Sequence, residues 1–60
     1  MPSAREMLAQ ATSKREMALT LRALAPGMSL AADRVKLLAE AEALEREADQ
    51  LEAEAKRLPA

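Results

Sequence analysis

The sixty-residue chain contains no cysteine, no histidine and no aromatic residue. Each absence removes a class of function or of structural support. Without cysteine no disulfide braces the fold, and without His or Cys the usual zinc and iron ligands are missing. The commonest general base and the thiol nucleophile go with them. Without Phe, Tyr or Trp there is no large anchor for a core and no ring on which a nucleotide base can stack. Glycine occurs once, at Gly27, so no glycine-rich phosphate loop exists. β-branched residues are limited to Thr12, Thr20 and Val35, too few for strands. Apolar runs are only a few residues long, far short of a membrane span. Arg5 and Glu6 come within two residues of Met1-Pro2-Ser3-Ala4, which does not fit a secretory leader. These features predict a soluble, cytoplasmic, non-enzymatic chain with no catalytic site, cofactor, metal or small-molecule substrate.

The apolar half of the chain is almost entirely Ala and Leu, with four Met. These are strong helix formers. Ser3-Ala4-Arg5-Glu6 has the form of a capping box, which starts a helix near Ala4. Pro26 lacks an amide proton and restricts the residue before it, so that helix should end near Ala25. A turn over about 26–29 follows, with Ser29 as a plausible N-cap and Asp33 near the positive end of the second helix dipole. The second helix should run over about 30–58, until Pro59 stops it. Thr12-Ser13 is the weak point of the first helix, because both hydroxyls compete for backbone partners.

Spacing by seven makes the fold class specific. In the second helix Leu30, Leu37, Leu44, Leu51 and Leu58 recur every seventh position, alternating with Arg34, Ala41, Ala48 and Ala55. In the first helix Ala4, Ala11, Ala18 and Ala25 hold one register, and Met7, Lys14, Leu21 and Met28 the other. Steps of three and four are the a and d positions of a coiled-coil seam. The expected fold is all-α, an antiparallel two-helix hairpin spanning residues 1–60 as one domain.

Folding the chain at Gly27-Met28 places Ala18 opposite Leu37, Ala11 opposite Leu44, Ala4 opposite Leu51 and Ala25 opposite Leu30. The alternate layers then set Met7 against Ala48, Lys14 against Ala41 and Leu21 against Arg34. Small meets large in most of these layers, as interdigitating helices require. Lys14 and Arg34 depart from the pattern. Their stems can lie over apolar surface while their heads reach water, or they can set register and partner choice.

Sixty residues are few for one hydrophobic core. Met17, Leu24, Ala31 and Leu38 widen the apolar stripes on their flanks, and Leu8, Leu19 and Val35 lie outside the seam. Met17, Leu24, Ala31, Val35 and Leu38 form a possible partner surface. They imply a homodimer, a four-helix bundle of two hairpins about a two-fold axis, or docking on another helical protein.

Charge is divided between the helices. Through Ala25 four basic residues face two acids, whereas from Pro26 onward five basic residues face eight acids. Such a division favours attraction between the helices over binding to nucleic acid. The alternative rests on Lys14, Arg15 and Arg22, which could form a small basic stripe against RNA or DNA phosphates. Glu40 with Glu47, and Glu45 with Glu52, are within helical reach. Bundle metal sites add Glu-x-x-His motifs, so these acids read as a solvated face. The acidic second helix also argues against membrane-surface binding.

The run Leu21-Arg22-x-Leu24-Ala25, then Leu37-Leu38, Ala41, Leu44-Glu45, Ala48 and Leu51-Glu52, resembles a group of short uncharacterised helical-hairpin proteins of GC-rich proteobacteria. That resemblance covers residues 21–52 and implies a bacterial or phage-related origin without implying an activity. In size and in its alternating Ala and Leu layers the chain is also similar to the Rop-type hairpin dimer. Rop-type RNA recognition uses an aromatic residue that is absent here, so only the architecture carries over.

Overall fold

The structure, a computed structural model, describes residues 2–59. Two helices, α1 (Ala4–Leu24) and α2 (Ala31–Arg57), pack against each other and are joined by a 3-10 turn, Ala25–Gly27. Ser3 caps α1, its hydroxyl accepting from the Glu6 amide at 3.1 Å. Among the described residues the return bond from the Glu6 side chain is not formed, so half of the capping box is present. The Thr12 hydroxyl donates to the Leu8 carbonyl and Thr20 to Glu16, both at 3.1 Å. These back-bonds keep the hydroxyls inside the helix, and α1 passes through Thr12-Ser13 without a break.

The turn differs from the sequence expectation at its second half. Ala25 remains helical ahead of Pro26, and the Met28 amide closes the 3-10 turn on the Ala25 carbonyl at 3.1 Å. Proline fits there because the first amides of such a turn need no partner. Gly27 has no positive φ, and a Cβ there would meet nothing within 4 Å, so the turn does not depend on glycine. Ser29 is not the cap of α2. Leu30 holds that place without a side-chain cap bond, and α2 begins at Ala31. The turn is tied down from α2 instead, where Arg34 Nη1 donates to the Met28 carbonyl at 2.7 Å.

The hairpin is a rod of 47 × 14 × 13 Å with a radius of gyration of 14.0 Å. A compact domain of this length would have a radius of about 10 Å. The buried residues are Met7, Ala11, Ala18, Ala25, Ala41, Ala48 and Ala55. Ala18, Ala41 and Ala48 are at 0% exposure. Around them Ala4, Lys14, Leu21, Arg34, Leu37, Leu44 and Leu51 are half-buried. Leu30, expected in the seam, is 63% exposed, whereas Ala55 is buried and Leu58 half-buried.

That burial pattern, with the cross-helix contacts, fixes a register one heptad away from the expected one. Arg22 contacts Glu45 at 2.6 Å. In the expected register Arg22 lies level with Asp33, and Glu45 would be about 18 Å farther along the rod. No Arg–Glu pair spans that distance. Sliding α2 by seven residues sets Ala18 against Leu44, Ala11 against Leu51, Ala25 against Leu37, Met7 against Ala55 and Leu21 against Ala41. Small still meets large in each layer, and Leu21 gains an alanine in place of Arg34. The cause lies in the linker. Met28 and Leu30 are extended, so the linker advances farther per residue than helix would.

Candidate functional site

Two surface features stand out, a row of ion pairs across the seam and an apolar end. Its cations are Lys14 and Arg15, neighbours in one turn of α1, and Arg22, two turns further on. Lys14 Nζ meets Glu47 Oε2 at 2.9 Å. Arg15 meets Asp49 at 2.7 Å and also donates to Glu52. Arg22 grips Glu45 with two bonds, Nε at 3.0 Å and Nη2 at 2.6 Å. The geometry follows from the direction of the side chains. Each leans toward the N-terminus of its own helix, so in an antiparallel pair they lean toward one another.

The charges respond accordingly. The hydrogen bonds it donates to Asp49 and Glu52 hold the Arg15 guanidinium above its ordinary pKa, and those donated to Glu45 do the same for Arg22. The Arg22 guanidinium in turn holds the Glu45 carboxyl below its ordinary value of 4.5. A carboxyl whose folded pKa is depressed adds stability above its unfolded pKa and loses it as pH falls through the folded one. The hairpin should therefore melt at progressively lower temperature as pH drops below the carboxylate range. Arg22→Gln should flatten that acid limb in thermal melts followed by circular dichroism. An unchanged limb would mean that this pair does not stabilise the fold.

The three residues considered for nucleic-acid contact, Lys14, Arg15 and Arg22, are thus all engaged by acids of the same chain. Sequence reading anticipated the attraction between the helices but not these partners. The i-to-j spacing of such pairs depends on the register, and a seven-residue repeat alone does not separate registers one heptad apart.

The second feature is the turn half of the rod. Among the described residues seven large apolar side chains are exposed: Leu8, Met17, Leu19, Leu24, Leu30, Val35 and Leu38. All but Leu8 lie between residues 17 and 38. Of the residues expected to form a partner surface, Met17, Leu24, Ala31, Val35 and Leu38 are all exposed. Val35 and Leu38 border an open groove of about 360 Å³ with Ala25, Pro26 and Ala31, rimmed by Arg22 and Arg34. A second hollow along Ala9, Gln10, Ser13, Lys14 and Met17 is similar in volume, about 390 Å³, but has polar groups in its wall. The signal for the groove was already in the sequence as apolar residues outside the seam positions.

Among the described residues no helix is long and apolar enough to cross a membrane. Compared with known proteins, the chain matches no family model, no curated protein and no solved structure.

Proposed function

We propose that the chain is a non-enzymatic interaction module, a helical hairpin that associates with a second copy of itself to serve as a small adaptor, assembly factor or regulator. The observation that carries this reading is the inversion between core and surface. Among the described residues the buried set is six alanines and one methionine, while seven larger apolar side chains face water. The accessible surface is 4520 Å², against about 3800 Å² for a compact monomer of this mass. A seam of alanines gives close contact but removes little apolar area, and each larger side chain left half outside forgoes part of the roughly 1.5–3 kcal/mol that full burial contributes. A second helical surface recovers part of that.

Sedimentation equilibrium on the pure protein tests the reading. A dimer persisting at low micromolar concentration supports it, and a monomer throughout the accessible range contradicts it.

The alternative, binding of RNA or DNA through Lys14, Arg15 and Arg22, has less support. A phosphate would have to displace acids already seated on these cations. Exposed pairs yield readily, so fluorescence anisotropy at low salt is the discriminating measurement. Binding that falls steeply with salt and disappears in an Arg15→Glu, Arg22→Glu double variant would favour the alternative.

A further inference from the structure

The seam layers from Ala4 to Ala25 fit in two registers. One is observed, and in its neighbour every α1 residue faces the α2 residue seven positions earlier. In both, Ala4, Ala11, Ala18 and Ala25 each meet a leucine, and Met7 and Lys14 each meet an alanine. A turn over 26–29 would still join the helices in the neighbouring register, since roughly two to five residues suffice for an antiparallel pair. The two packings differ at the layer of Leu21, which faces Ala41 in the observed register and Arg34 in the other. We infer that Arg34 sets the register of the hairpin by excluding the neighbouring one. This is a property of the single chain and does not depend on self-association.

In the observed register Arg34 lies beyond the last of these layers. It is half-buried at the turn, and its Nη1 donates to the Met28 carbonyl at 2.7 Å. In the neighbouring register it would stand opposite Leu21, between the layers of Ala18 and Ala25. The residues three and four positions from it on α2 are Leu30, Ala31, Leu37 and Leu38, so its own helix face offers it no carboxylate. A guanidinium so placed gives up the Met28 carbonyl and water without gaining an acid, which is costly. One polar residue in a seam can fix register through such a mismatch.

Lys14 is also a charged seam residue, but it does not discriminate. It meets an alanine in either register, and Glu40 would take the place of Glu47 beside it. Arg15 likewise would exchange Asp49 and Glu52 for Glu42 and Glu45. Arg22 does lose Glu45, with Leu38 standing there instead. That pair is open to solvent, and exposed pairs contribute little, so Arg34 outweighs it. The slide would also move apolar surface along the rod. Leu30, now 63% exposed, would enter the seam against Ala25, and Ala55, now buried, would leave it.

Removing the charge at position 34 should release the slide, and spin labels read it. Ala9, Ala23, Ala39 and Ala53 are exposed and off the seam, and the chain has no cysteine. Labels therefore go on in two pairs, Ala9→Cys with Ala39→Cys, and Ala23→Cys with Ala53→Cys. An excess of unlabelled chain restricts pulsed dipolar spectroscopy to distances within one hairpin. In the observed register each pair has an axial separation of about 21 Å. A slide of one heptad shortens the first to about 11 Å and lengthens the second to about 32 Å. The expected result is one register in the unsubstituted chain, in Arg34→Lys, which keeps the charge, and in Arg22→Gln. Arg34→Ala should add a second population, shorter for the first pair and longer for the second. Unchanged distances in Arg34→Ala would overturn the proposal, as would a slide in Arg22→Gln alone. Lengthening of both pairs in Arg34→Ala means that the hairpin opens rather than slides, and that outcome overturns it too.

Discussion

Ala18→Leu should force the two helices apart, lowering the thermal midpoint by about ten degrees. Ala18 is at 0% exposure and lies level with Leu44 in the register that the ion pairs fix. A helix pair in contact through alanine runs at the short end of the usual 8–10 Å interaxial range. Leucine adds three carbons where no space exists, and overpacking of this kind costs typically 1–3 kcal/mol. A core of this size rarely supplies more than about 3–5 kcal/mol in all. For a domain of sixty residues each kcal/mol shifts the midpoint by about 4–8 °C. Ala39→Leu, on the exposed outer stripe of α2, is the matched control, and should leave the midpoint nearly unchanged. Equal midpoints for the two variants would show that the alanine seam is looser than its burial implies. Ala41→Leu and Ala48→Leu, also at 0% exposure, should behave as Ala18→Leu does.

The second large effect concerns the outer surface. A Val35→Glu, Leu38→Glu double variant should abolish self-association while preserving the hairpin's own seam. Both residues are exposed in the single chain, so two carboxylates there cost the isolated hairpin little. In a dimer joined through the groove they would be buried, and effective penalties of several kcal/mol per ion apply. Two such penalties weaken association at least a hundredfold, since each 1.4 kcal/mol is tenfold. Sedimentation velocity would show a monomer at concentrations where the unmodified chain is dimeric. Leu8→Glu, at the far end of α1, should leave the dimer intact. If the Leu8 variant dissociates and the double variant does not, the contact lies at the other end of the rod.

The hairpin itself was legible in the sequence, and the reason is physical. Alanine, leucine and the long polar residues favour helix, Pro26 interrupts it, and steps of three and four place Met7, Ala11, Ala18, Ala41 and Ala48 on one stripe. Those five are buried in the structure. The capping hydroxyl of Ser3 was equally readable, because its preference is local. Register was not. A heptad repeat looks the same after a slide of seven, and Ala18 meets a leucine whether it faces Leu37 or Leu44. The ion pairs and the path through Met28 and Leu30 distinguish the two, and nothing in Met28-Ser29-Leu30 announces that path. A fold at Gly27-Met28 consequently puts Leu30 opposite Ala25 and leaves Ala55 with no facing residue, whereas Leu30 is exposed and Ala55 buried. The partners of Arg15 and Arg22 were lost by the same slide. The unfilled surface was legible as far as Met17, Leu24, Ala31, Val35 and Leu38. Its concentration at one end required the path of the chain.

The central claim is that two helices joined by an alanine seam form an incomplete structure, which a second apolar surface finishes. Helicity of the pure chain under progressive dilution, followed by far-ultraviolet circular dichroism, tests it most directly. Folding coupled to association makes stability depend on protomer concentration. The predicted result is a helical signal that declines on dilution, together with a melting temperature that rises with concentration. A full helical signal and a constant melting temperature from a chain that sediments as a monomer would contradict the claim, because the alanine seam would then suffice alone.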